Sequence, residues 1–247
     1  MSTKTTKYKI LSGSWLKIIA MTAMLIDHTA IIFMSGDKAF HQPYCVIGNY
    51  PVTDYFLCRN IVGRLAFPIF AFLIVEGYHH TSNRRRYAQN LLLFAIISII
   101  PWNLVHGDLL YHSSQNVLFT LLFGVILMLQ TDKITQYYSQ NSHFPLVQTL
   151  TIIPELIAIQ LLHTDYGAIG VVYIVLLHVL RGNILNQSIA TFATFTYNKF
   201  HRFNLLAIIP LSMYNGKRGF IQGKWAKYVM YALYPLHLII LWGISHL

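Results

Sequence analysis

Uninterrupted apolar runs, separated by short polar segments, dominate this chain. Most reach about 17–25 residues, enough for a helix to cross about 30 Å of hydrocarbon. The runs do not alternate apolar with polar as barrel strands do. A helix is then the structure that satisfies its own backbone in lipid. The runs predict spans at Trp15–Met34, Cys58–Tyr78, Tyr87–Val105, Asn116–Gln130, Pro145–His163, Ala168–Leu180 and Tyr228–His246. Ser188–Tyr197 and Phe203–Tyr214 are shorter, and read as two tilted helices or one broken one. The expectation is an all-α polytopic transmembrane bundle of about nine spans, with eight and ten as alternatives. Pro68, Pro101 and Pro235 predict kinks or interruptions, because proline removes a helical hydrogen bond. No internal repeat or linker appears, so residues 1–14 read as a basic tail and 15–247 as one transmembrane domain.

Composition agrees. The 247 residues are 55% hydrophobic and 11% charged, with mean hydropathy +0.50, against about 25% charged in soluble domains. The net charge of +10 sits in short clusters between apolar runs. That is a positive-inside pattern and not a nucleic-acid surface, and no nucleic-acid-binding motif accompanies it. A cytoplasmic N-terminus puts Lys4, Lys7, Lys9, Arg84, Arg85, Arg86, Lys133, Arg181, Lys217, Arg218, Lys224 and Lys227 inside. Lys38, Arg59, Lys199 and Arg202 fall outside, a ratio of twelve to four. Cys45 and Cys58 share the first outer loop and can pair if it faces an oxidising side. Walker, dinucleotide, CxxC, HExxH and GxSxG patterns are missing, so no metal site is expected.

The informative residues are ionisable groups inside apolar runs. Each costs at least about 2.5–3.5 kcal/mol at the bilayer centre, so each marks a candidate site. Lys17 and His28 are eleven positions apart, which at about 100° per residue returns to one face. One stripe thus carries a cation near the cytoplasmic edge and an imidazole deeper in the span. His28 is the candidate general base, and Asp27 beside it can fix a neighbouring helix or a histidine tautomer. In the second span, Arg64 and Glu76 lie about 18 Å apart along the helix, so each needs another partner. A guanidinium suits phosphate or carboxylate. Asn116, Asp165, Tyr166 and His237 are second-rank candidates.

Several segments resemble the TraX family in the same order: LKIIAMTAMLIDHTAI at 16–31, NIVGRLAFPIFAFLIVEGYHHT at 60–81, RRYAQNLLLFAIISIIPWNL at 85–104, NVLFTLLFG at 116–124, DYGAIGV at 165–171, PLSMYNGKRG at 210–219 and KYVMYALYPLHLIIL at 227–241. The family's named activity, in conjugative plasmids, is N-terminal acetylation of pilin, and it is similar to the transmembrane acyltransferase superfamily. There a basic residue and a histidine with ten residues between them mark the first helix, as Lys17 and His28 do. Arg64 matches the family's glycine-arginine pair. Glu76-Gly77 departs from the serine-glycine pair common in sugar acetylases, which weakens a sugar acceptor. The resemblance implies acetyl-CoA as donor, His28 and Asp27 as catalytic residues, and Lys17 and Arg64 on the donor. Glu76, Asn116, Asp165, Tyr166 and His237 are left for the acceptor. The partners implied are membrane lipid and a pilin-like or cell-envelope acceptor. A proton-coupled transporter, or a non-catalytic membrane component of a secretion or conjugation assembly, is the alternative.

Overall fold

The computed structural model describes residues 8–138, 144–196 and 202–247. Lys4, Lys7, Tyr197 and Lys199 lie outside the described residues. The described chain is all-α, with helices α1 (Gly13–Met34), α2 (Asp54–His80), α3 (Arg84–Val105), α4 (Val117–Tyr138), α5 (Phe144–Leu161), α6 (Gly167–Val179), α7 (Ile184–Thr196), α8 (Arg202–Ser212) and α9 (Gly223–Ser245). Among the described residues, α1 to α4 and the Trp225–Ser245 part of α9 are long and apolar enough to cross a membrane. The apolar stretches Ile152–Leu161, Gly167–Val179 and Arg202–Ser212 are shorter. Leu92, Leu93, Ile96, Ile97 and Ile100 stand exposed on α3, and Leu236, Ile239 and Ile240 on α9. Contiguous apolar surface of this kind is a liability in water and suits lipid. The chain is therefore a multi-pass membrane protein.

The prolines act locally. Pro68 has no N–H for the carbonyl one turn back, and the preceding stretch winds as a π segment, Leu57–Val62, then a 3₁₀ turn, Gly63–Leu65. Ser98 interrupts α3 three residues before Pro101. Pro235 lies inside α9, which remains helical through it.

Contacts divide the chain into two compact units, residues 1–73 with 182–247, and residues 74–181. The division falls within α2. In the first unit α1 buries a stripe of small side chains, Gly13, Ala20 and Ala23, with Leu16 and Met24. Small residues let helix backbones approach where lipid removes the hydrophobic drive for association. Phe67 meets Phe195 of α7 edge to face, at 6.4 Å between centroids. The loop after α1 holds something the sequence reading missed, an antiparallel hairpin of β1 (Cys45–Ile47) and β2 (Tyr50–Val52) turning at Gly48-Asn49. Tyr50, Phe56 and Phe203 pack mutually at 5.4–5.7 Å and anchor it. The Tyr44 hydroxyl donates to Asp54 at 2.7 Å, and this bond to a carboxylate pushes the phenol above its ordinary pKa. Cys45 and Cys58 are both free thiols, so the disulfide considered from sequence is not formed.

In the second unit α4 packs on α6, where Gly124 leaves room for Ile174. Leu127, Ile159 and Val171 form the apolar centre. Asn116 is fully buried. Its amide donates to the Ala95 carbonyl at 3.0 Å and its oxygen accepts from Leu118 N–H at 3.2 Å. It caps α4 and pins it to α3.

Candidate functional site

The first unit assembles the strongest chemistry. The segment from Met213 to Ile221 straps the N-terminus of α1. Gly13 N–H donates to the Lys217 carbonyl at 2.8 Å, and the Ser14 hydroxyl donates to the Arg218 carbonyl at 3.0 Å while accepting from Ile221 N–H at 2.7 Å. Gly219 sits at φ +81° against the hydroxyls of Ser12 and Ser14, so a side chain there meets both strain and collision. Lys17 donates to the Ile221 carbonyl at 3.2 Å. Its ammonium has two further donors. Lys217 and Arg218 are exposed on the strap, and no ion pair with a carboxylate is formed by Lys17 or Lys217 among the described residues. A cluster of cations favours an anion.

Eleven residues on, the same face of α1 presents His28. Its Nδ1 lies 2.6 Å from Nε2 of His237 on α9, and both rings are buried. The ring planes are 18° apart with centroids at 4.9 Å, so the imidazoles meet end to end. His237 Nδ1 lies 2.9 Å from the Leu233 carbonyl, one turn back. These contacts fix the protons. A carbonyl only accepts, so His237 Nδ1 carries hydrogen and its Nε2, in a neutral ring, is an acceptor. His28 Nδ1 must therefore donate, which leaves the lone pair on His28 Nε2. Tyr234 closes the pair from the side, with its ring 6.3 Å from His28 and 5.6 Å from His237. The sequence reading ranked His237 second. The structure places its Nε2 against His28 Nδ1.

Asp27, adjacent in sequence, points to α2. It pairs with Arg59 Nη1 at 2.5 Å, and the charge of Arg64 also acts on it. Asp27 thus ties two helices together, one of the two roles expected for it. Arg59, counted with the outer charges from sequence, lies within α2, which begins at Asp54, four residues before the expected start at Cys58. A search for a cation to match Asp27 would have found it five residues before Arg64. Arg64 Nε is buried without a hydrogen-bond partner.

The other candidates belong to the second unit. Glu76 takes a two-pronged bond from Arg181, Nε to Oε1 at 2.7 Å and Nη2 to Oε2 at 3.2 Å. Asp165 N–H donates to the Gln115 carbonyl at 3.0 Å in the turn before α6, with Tyr166 as the residue preceding that helix. Asn116 is the cap described above. A mostly apolar cavity of ≈ 440 Å³ beside α3 and α4 is lined by Leu92, Phe119, Leu122, Phe123 and Leu162, with Gln89 and Gln115, and holds no ionisable side chain. Among the described residues no group of three or more His, Cys, Asp and Glu side chains is arranged to hold a metal ion.

The fold and this pair define a helical membrane protein with a buried, proton-ordered histidine dyad. The family model described as TraX protein matches residues 12–245, and the chain belongs to the TraX family. A relative named probable fimbrial assembly protein FimC, serogroup H1, from Dichelobacter nodosus, is 26% identical over 257 residues, covering 93% of this chain and 94% of the relative. No solved structure matches.

Proposed function

We propose that the chain is an integral membrane acetyltransferase moving an acetyl group from acetyl-CoA to a protein amine. The observation that carries this reading is the proton order of the dyad, which presents His28 Nε2 as a base. As the acceptor nitrogen attacks the thioester carbonyl, Nε2 takes its proton. The N–C bond forms, the C–S bond breaks, and the coenzyme thiolate leaves, to take the proton back from His28 Nε2–H. Until it does, His237 and the Leu233 carbonyl share the charge on His28. Lys17, with Lys217 and Arg218 near it, binds donor phosphates, and the unpartnered Nε of Arg64 serves an anionic group or the developing oxyanion. The relative's name favours a pilin-like or other cell-envelope protein as acceptor. Reconstituted protein with radiolabelled acetyl-CoA and a pilin-like acceptor tests the reading directly, and a lack of label transfer overturns it.

The same name also favours a second reading, a non-catalytic membrane component of pilus assembly. An assembly component tolerates loss of the His28 imidazole, and an enzyme does not.

Lys17→Met keeps most of the stem's packing and removes the charge. Acetyl-CoA affinity should fall by roughly 1.5–3 kcal/mol, the worth of a hydrogen bond to a charged group. Calorimetry on folded variant protein checks this, and unchanged affinity assigns Lys17 to the Ile221 contact alone.

For orientation we favour a cytoplasmic N-terminus. Lys17 meets Ile221 at the start of the last helical region, and His28 meets His237 further along it. The first and last helices therefore run in the same direction. That supports an odd number of crossings, and so nine rather than eight or ten. Reporter fusions after residue 84 should report cytoplasm, and fusions after residue 110 the outside. The reverse pattern rejects the orientation.

A further inference from the structure

The second unit contains another ordered chain of histidines, unrelated to His28. Asp132, near the end of α4, accepts three bonds. Tyr78 hydroxyl and Arg84 Nη1 each donate to Oδ2 at 2.7 Å, and His178 Nε2 lies 2.9 Å from Oδ1. His178 Nδ1 lies 3.0 Å from His79 Nε2. The carboxylate only accepts, so His178 Nε2 carries hydrogen and, in a neutral ring, Nδ1 is an acceptor. His79 Nε2 must donate to it, and His79 Nδ1 is left with a lone pair. The rings are 21° from parallel with centroids at 5.0 Å, again end to end.

The bare Nδ1 distinguishes His79 from its neighbours. His80, His106, His237 and His246 all set Nδ1 against the carbonyl four residues back. His79 Nδ1 makes no such bond among the described residues, and His79 is only half-buried. The charged groups acting on it are Arg181, Arg84 and Asp132. Arg181 is paired with Glu76, and Arg84 with Asp132. His80 stands beside Glu76.

We infer that Asp132, His178 and His79 form a second base, with His79 Nδ1 as the atom that takes a proton from a hydroxyl or thiol. As the O–H or S–H bond breaks, an N–H bond forms at Nδ1. The positive charge gained by His79 is held through Nε2–H on His178, whose own Nε2–H rests on the Asp132 carboxylate. Asp132 and His178 are positioning residues, and Tyr78 and Arg84 hold Asp132 from its other oxygen. The arrangement has the logic of a carboxylate-oriented imidazole, with a second ring interposed.

The test uses full-length protein in nanodiscs. Nitrogen-15 NMR of labelled histidine, assigned with His79→Gln, should show hydrogen on His79 Nε2 and a bare Nδ1. Hydrogen on Nδ1 overturns the proposal, and this reading needs no other variant to fold. Diethyl pyrocarbonate, which acylates bare imidazole nitrogens, should modify His79 readily, with mass spectrometry locating the adduct. His178→Leu keeps the Tyr78 and Arg84 bonds to Asp132 and breaks the histidine chain, since leucine neither donates to Asp132 nor accepts from His79. It should slow modification of His79 by roughly tenfold or more, since the preferred tautomer is lost, while His80 is modified at its original rate. A His79 rate that is the same in wild type and His178→Leu overturns the relay.

Discussion

A His28→Ala protein should insert and fold, yet transfer acetyl groups roughly 10²–10⁴-fold more slowly, the usual worth of a positioned general base. The substitution removes the nitrogen that takes the acceptor's proton. It also leaves His237 Nε2 buried without its donor, which costs about 1–3 kcal/mol of stability. Thermal melts in nanodiscs must therefore accompany the rate. His237 provides the finer control. Glutamine there can still accept from His28 Nδ1–H through its amide oxygen, so His237→Gln should retain most activity. Leucine offers no acceptor, and His237→Leu should lose activity by roughly 10–100-fold while the base remains present, because the tautomer is no longer fixed. Equal rates for glutamine and leucine would show that His237 merely packs. Full acetyl transfer by His28→Ala would show that His28 is not the base.

The apolar runs were legible because lipid demands continuous hydrophobic helices, and nine runs correspond to nine helical segments among the described residues. Lys17 and His28 were legible as one face because the helical period relates them. Both indeed turn to the C-terminal region, at Ile221 and His237. Partners across helices were not legible. Local periodicity states which way a side chain points and says nothing of which helix lies there. Glu76 therefore waited for Arg181, and Asp27 for Arg59. Asp132 was passed over because it lies two residues beyond the expected end of its span at Gln130, where a carboxylate looks like ordinary surface. The hairpin was missed because Pro43 and Pro51 read as irregular loop, although Gly48-Asn49 between Cys45–Ile47 and Tyr50–Val52 is a recognised two-residue turn signal.

The largest expected effect on stability belongs to Asp27. Arg59→Met leaves its carboxylate in an apolar helix and should destabilise the protein by about 3 kcal/mol, the lower end for breaking a buried pair. The lower end applies because the two side chains keep 23% and 15% exposure. Asp27→Asn/Arg59→Met removes both charges, so a double-mutant cycle should recover a large part of that loss. Gly63 supplies an independent route to the same contact. A Cβ at this position lies 2.8 Å from both Cβ and Cγ of Asp27, closer than carbon atoms approach. Gly63→Ala must therefore push α2 from α1 or turn the carboxylate off Arg59. In an Asp27→Asn background the ion pair is already gone, and Gly63→Ala should then cost less than in wild type. Denaturant unfolding of the reconstituted variants reads all five values. A loss below about 1 kcal/mol for Arg59→Met, the size of an exposed surface pair, would show that Asp27 is stabilised chiefly by groups other than Arg59.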